Sequence, residues 1–354
     1  MLSRGALFFV LWRLSVAYER PDRFIVATSP KEKLVMWAPL PSFHDLALSR
    51  QERREAADWK VLIAGEVTKC TGWMCSDSVD RGLEEPTGLA LDHRAGGHAW
   101  LYVSDTKVGN LYRYAVKENW RKQPEAGPQE LVTSGLKGKA HWLALDGYGN
   151  LFYTDSEAGE VSMLSIDDLE KGASIGRSLY TVKKMKSVAG PAGIAVDNLH
   201  LYWANLQGDK SSGTLVQALA AKVEKPKILA GMTDIYATLA KDICLARDNI
   251  FFTGDTNVLF GLKADGSSDV TEVATSFKQP RGCVYDEEST LYVADHDDNA
   301  IYALPANFKD LRKVSRVQKV ANMPSPNQVA IFFGPSSNSH LRSLANHLGI
   351  GGSS

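Results

Sequence analysis

A strand pattern that recurs five times, with two terminal fragments that each supply what the other lacks, predicts an all-β chain folded as a six-bladed β-propeller. The patterns return about every 40 to 54 residues, the length of a propeller blade. Helical spacing is absent from the repeats, whose apolar residues alternate instead.

Taken in chain order, residues 1–17 are set apart first. Arg4, an apolar run and the small-x-small ending Ser15-Val16-Ala17 have the layout of a secretory signal; Arg13 and Arg20, with no acid before Glu19, suit an organellar presequence instead. The propeller is expected over 18–334. Arg23–Thr28 and Leu34–Ala38 read as second and third strands with no first strand before them. Residues 42–58 suit a helical insertion opened by Ser42, and Lys60–Ala64 reads as the outer strand that completes this fragment. Cys70 and Cys75 follow in a turn-rich stretch, where a local disulfide or free thiols are favoured over zinc, because no second ligand pair is spaced to complete a tetrahedral site.

Five innermost strands come next: Pro86–Asp92, Ala140–Asp146, Pro191–Asp197, Lys241–Ala246 and Pro280–Asp286. Each leads into a second strand, at Leu101–Asp105, Leu151–Asp155, Leu201–Asn205, Ile250–Gly254 and Leu291–Asp295, and then into third and fourth runs such as Asn110–Tyr114 and Lys227–Ala230. Asn327–Phe333 is a first strand with nothing after it. Pairing it with Arg23–Thr28 yields a sixth blade and removes the free sheet edges. The tail 335–354 carries no strand pattern.

With 44% hydrophobic and 23% charged residues the composition is that of a chain able to bury a sizeable core. Lys plus Arg number 40 and Asp plus Glu 41, a net charge of -1, which excludes a whole-surface field for nucleic acid or anionic lipid. No segment has the roughly 20 apolar residues a membrane-spanning helix needs. A monomer, exported or organellar, with a protein partner is the expectation.

Gly147-Tyr-Gly-Asn-Leu-Phe-Tyr-Thr-Asp-Ser156 and Leu201-Tyr-Trp-Ala-Asn205 resemble the YWTD (class B) repeats of the low-density lipoprotein receptor family. The Pro-x-Gly lead-ins and Leu291-Tyr-Val-Ala-Asp295 equally resemble NHL repeats. The resemblance spans about 23–333 and implies that the second-strand aromatics pack between blades. It also implies that Asp105, Asp155 and Asp295 tie turns by accepting backbone N–H bonds. The chain departs from the receptor pattern in keeping the Trp only at Trp203 and in lacking any Asn-x-Ser/Thr sequon.

The turn leading into each innermost strand points at the mouth of the central channel, where a concave site belongs. The six residues there are Thr87, His141, Ala192, Asp242, Arg281 and Asn327, and alternate blades supply His141, Asp242 and Asn327. Oxygen and nitrogen donors so arranged suit a divalent cation, Ca²⁺ if oxygen dominates or Zn²⁺ if His141 leads. The arrangement resembles the gluconolactonase and senescence-marker family of metal-dependent lactonases, without that family's Pro-Asn-Gly lead-in. The alternatives are an Arg281–Asp242 ion pair and an anion-binding ring of Arg281, His141 and Asn327.

Cys244 and Cys283 hold matching places in adjacent innermost strands and read as buried hydrophobes. Asp295-His-Asp-Asp-Asn299 reads as a solvated turn. No nucleophile elbow, Walker loop, dinucleotide fingerprint or His-Glu-x-x-His sequence is present. The leading expectation is therefore a non-enzymatic interaction module using a face or rim of the propeller. The alternative is a metal-dependent hydrolase or lactonase at the channel mouth.

Overall fold

The computed structural model describes residues 23–41, 56–64, 66–67, 70–71, 74–75, 80–136, 140–172, 176–206, 213–231, 241–306 and 309–334. Six blade sheets follow one another along the chain, each with an antiparallel core, five of them of consecutive strands and the sixth from both ends, and one short segment adds in parallel to the edge of the fifth. The innermost strands are Pro86–Asp92, Ala140–Leu145, Pro191–Val196, Ile243–Ala246, Pro280–Tyr285 and Val329–Phe333, in the first to fifth blades and the closing blade. In the closing blade Val329–Phe333 pairs with Arg23–Ser29, which pairs with Leu34–Pro39, which pairs with Lys60–Ile63.

Six apolar clusters hold the ring, each shared by two neighbouring blades. Side chains alternate across a strand, so a second strand serves both neighbours. In Leu201–Asn205, Trp203 joins the cluster with the second blade and Tyr202 the cluster with the fourth. Both are at most 3% exposed. Full burial of a large apolar side chain contributes about 1.5–3 kcal/mol. The ring therefore draws its stability from between blades more than from within them.

Closure is fixed by register and by charge. Arg23 to Ala27 pair antiparallel with Phe333 to Val329. The Arg23 guanidinium also reaches the fifth blade, with Nη1 3.1 Å from Asp286 Oδ2, both side chains almost wholly buried.

Two local readings change. Residues 42–55 of the expected helical insertion lie outside the described residues, but Ala57–Asp58 is extended and pairs in parallel with Ala321 and Asn322 of the fifth blade. An outer strand leaves backbone donors and acceptors free, and the passing segment takes them. The second blade also carries one short helix, Ile166–Lys171. The sequence reading did not anticipate it; it starts with a capping box, in which Ser165 accepts from the Asp168 N–H and Asp168 accepts from the Ser165 N–H.

Segments 1–17 and 335–354 lie outside the described residues. Among the described residues no helix is long and apolar enough to cross a membrane.

Candidate functional site at the channel mouth

The turns before the innermost strands and those between second and third strands share one face of the ring. Second-strand carboxylates tie them together. Asp105 accepts from the N–H groups of Glu84 (2.6 Å) and Glu85 (3.1 Å), and Asp295 from those of Lys278 (2.7 Å) and Gln279 (2.8 Å). Asp155 accepts from Ala158 N–H at 2.7 Å, within its own turn. These are the roles expected of the three residues.

Two kinds of lead-in alternate around the axis. The first, third and fifth blades have Pro-x-Gly, while the second, fourth and closing blades carry side chains there: His141-Trp142, Asp242-Ile243 and Asn327-Gln328. The glycines make room for their neighbours. A Cβ on Gly193 would lie 2.3 Å from Asp242 Cα, and one on Gly282 would lie 2.4 Å from the Asn327 carbonyl oxygen. In place of side chains these glycines offer N–H groups, Gly193 to the Lys241 carbonyl and Gly282 to the Asn327 carbonyl, each at 2.8 Å.

The other three junctions use threonine. Thr28 Oγ1 donates to the Thr87 carbonyl (2.9 Å), Thr154 Oγ1 to the Ala192 carbonyl (2.6 Å) and Thr253 Oγ1 to the Arg281 carbonyl. The backbone of Thr87, Ala192 and Arg281 is thereby fixed from the preceding blade.

Within this frame Asp242 stands out. It is 1% exposed, its Oδ2 accepts from Cys283 N–H at 3.3 Å, and its Oδ1 has no hydrogen-bond partner among the described residues. Burial pushes its carboxyl up from 3.8 to about 7, against the lowering effect of the Ile243 and Cys283 N–H groups. The proposed ion pair with Arg281 is not formed: Arg281 Nη2 donates to Gln279 Oε1 at 3.1 Å, and its buried Nε has no partner among the described residues.

The remaining expected residues fall in several places. Thr87 Oγ1 bonds the Glu85 carbonyl (3.2 Å) and Thr106 Oγ1 (3.0 Å). Asn327 Nδ2 donates to the Thr87 carbonyl at 3.1 Å. His141 sits on the innermost strand Ala140–Leu145, and its side chain lies outside the described residues. Among the described residues no group of three or more His, Cys, Asp or Glu side chains is placed to hold a metal ion. A cleft of about 400 Å³ opens on the same face, lined by Pro30, Lys31, Lys33, Glu84, Glu85 and Lys107.

Two features escaped the sequence reading. Gln328, 6% exposed, accepts from Leu89 N–H (2.6 Å) and donates from Nε2 to the Leu143 carbonyl (3.4 Å), so one amide joins three innermost strands. Its signal was a second polar residue, beside Asn327, at the head of an apolar strand. Cys244 and Cys283 are buried, as expected, yet they are bonded: a disulfide joins the fourth and fifth blades across a Cα separation of 5.8 Å. Matching places in adjacent innermost strands put two cysteines within disulfide range. At the other expected pair, Cys70 faces Cys75 in backbone register.

The turn at Asp295–Asn299 satisfies itself. His296 Nδ1 meets Asp297 Oδ1 at 2.7 Å, Asp298 accepts from Tyr302 OH at 2.5 Å, and Lys278 pairs with Asp298.

No protein-family model and no curated protein matches the chain. Solved structures do match it. A luciferin-regenerating enzyme is 16% identical over 71% of this chain and 80% of its own, with a TM-score of 0.51. A proposed 6-phosphogluconolactonase from Bacteroides uniformis is 10% identical over 88% of this chain and 100% of its own, at 0.52. A virginiamycin B lyase from Staphylococcus aureus covers 65% of this chain and 70% of its own, at 16% identity and 0.43. At these identities the likeness is one of fold: the protein is a six-bladed β-propeller. The resemblance to YWTD and NHL repeats stays at the level of repeat grammar.

Proposed function

We propose that the protein is an enzyme acting on a small molecule at the channel mouth, a hydrolase of esters or lactones. The observation that carries this reading is Asp242, a buried carboxyl with a free oxygen and an affinity for protons matched to neutral pH. In this role Asp242 takes a proton from the attacking water and returns it to the leaving oxygen. Arg281, which has no carboxylate partner among the described residues, orients the substrate carbonyl or an acidic group beside it. Propellers of this fold include ones described as enzymes, but the fold does not itself choose a function, so the reading stands on Asp242.

The same proposal includes a divalent cation that His141, Asp242 and Asn327 would hold and that would polarise the substrate carbonyl; elemental analysis of the purified protein reads it directly. Turnover of a panel of lactones and esters by wild type, with a loss of about 100-fold or more in Asp242→Asn, is the expected result. Equal rates in the two proteins would refute the assignment. The buried Cys244–Cys283 bond supports folding in an oxidising compartment.

A second reading, protein binding, is favoured by the opposite face of the ring. There Trp120, Tyr148 and Leu199 sit on turns at 84%, 65% and 67% exposure. Loss of a partner on Trp120→Ala, with lactone turnover unchanged, would establish it.

A further inference from the structure

We propose that the cleft between the closing and first blades is a binding site for a small phosphorylated polyol, separate from the chemistry at Asp242. The cleft holds about 400 Å³, within the range of small-molecule pockets. Its walls are Pro30, Lys31 and Lys33 from the closing blade and Glu84, Glu85 and Lys107 from the first.

Among the described turns between second and third strands, four have the same length and can be compared place by place. Ser29 pairs with Leu34, Asp105 with Asn110, Asp155 with Glu160 and Asp295 with Ala300, with four residues between each pair. At the second of these the second and fifth blades carry acids, Glu157 and Asp297. The closing and first blades carry Lys31 and Lys107 there, and both line the cleft.

The fourth residue is left-handed in every one of these turns: Gly109 at φ 70°, Gly159 at 65°, Asn299 at 51° and Lys33 at 59°. Glycine and asparagine suit that backbone, whereas a lysine is strained by it. Strain of this kind persists where a function holds it, and Lys33 is the one side chain of the four that lines the cleft.

The charges are free for a ligand. Among the described residues Lys31, Lys33 and Lys107 have no carboxylate within ion-pair distance, and Glu84 and Glu85 no cation. The nearby Asp105 carboxylate is taken up by the N–H groups of Glu84, Glu85 and Lys107, which fixes the two first-blade walls to each other. The closing-blade turn is held by Glu32 N–H on Ser29 Oγ (3.4 Å) and Lys33 N–H on the Pro30 carbonyl (3.3 Å). The backbone of the site is therefore set before a ligand arrives.

Phosphate is the anion these residues fit. A planar carboxylate is met best by the paired donors of an arginine, and no arginine lines the cleft. Three ammonium groups from separate turns can each take one oxygen of a tetrahedral dianion. Glu84 and Glu85 then accept from hydroxyl groups on the rest of the molecule.

Calorimetric titration of the full-length protein with glycerol 3-phosphate, against inorganic phosphate and glycerol, tests the assignment. Saturable binding of the ester is expected, tighter than that of inorganic phosphate and absent with glycerol. It should weaken about tenfold in Lys107→Ala and in Lys33→Asn. Lys33→Asn should keep or raise the Tm, because asparagine suits the backbone that strains lysine, so its weaker binding is not a loss of folding. Arg281→Gln, at the channel mouth, should bind as wild type does. No saturable binding, an ester bound no more tightly than inorganic phosphate, binding unchanged in both lysine variants, or binding lost in Arg281→Gln overturns the proposal. The readout is affinity and not turnover, so it stands or falls apart from the assignment of Asp242.

Discussion

Replacing Asp242 with Asn should stabilise the protein at alkaline pH and do little at acid pH. The Asn side chain matches protonated Asp in shape and leaves the same kind of donor unpaired, so it isolates the cost of charge. Burial raises the carboxyl from 3.8 to about 7, which at 1.36 kcal/mol per unit amounts to roughly 4 kcal/mol. Between those two values the folded state holds a proton that the unfolded state has lost, so wild-type stability falls as pH rises from about 4 to about 7.

The variant escapes that loss. Its advantage is small at pH 3.8 or below, about 2 kcal/mol at pH 5 and about 4 kcal/mol at pH 8. An unfolding entropy of about 2.1 cal/mol/K per residue over roughly 310 residues makes 4 kcal/mol worth about 6 °C in Tm. Calorimetric melts of both proteins from pH 4 to pH 8 give the comparison, and the slope of the difference matters more than its offset. A difference flat across that range would refute the account of Asp242 as a buried carboxyl whose charging is opposed by desolvation.

Arg23→Ala leaves Asp286 buried without its cation and should cost about 3 kcal/mol by denaturant titration. Thr154→Val removes one clasp without changing shape and strands the Ala192 carbonyl, an expected loss of about 1–2 kcal/mol in the same assay. Gly282→Ala would drive a Cβ into the Asn327 carbonyl, a backbone atom that cannot rotate away, so a loss of about 3 kcal/mol or more, or failure to fold, is expected in thermal melts.

The ring was legible because blades repeat and strands alternate; each second strand carries two faces with separate duties, and the residues at Leu201–Asn205 display both. Closure by the two ends was legible for the same reason, since Arg23–Ser29 needed an inner neighbour and Val329–Phe333 an outer one. Local sequence could not convey which side chains meet across blades. Asp242 and Arg281 were marked as neighbours of opposite charge, but their orientation is set by Gln279 and Cys283, contacts visible only in three dimensions. The disulfide was half legible: the matching positions of Cys244 and Cys283 were apparent, but the distance between them depends on how the fourth and fifth blades dock through Thr253; the tight glycine approaches lie at the two flanking junctions, Gly193 on Asp242 and Gly282 on Asn327.

That tightness bears on how such a ring can grow. If a glycine lead-in must always stand beside a bulky one, the unit that can be added or removed is a pair of blades. A five- or seven-bladed relative built from these repeats would set two bulky lead-ins together, or two glycines facing a void. Adding or removing blades in pairs keeps the parity, so packing alone favours an even count such as six.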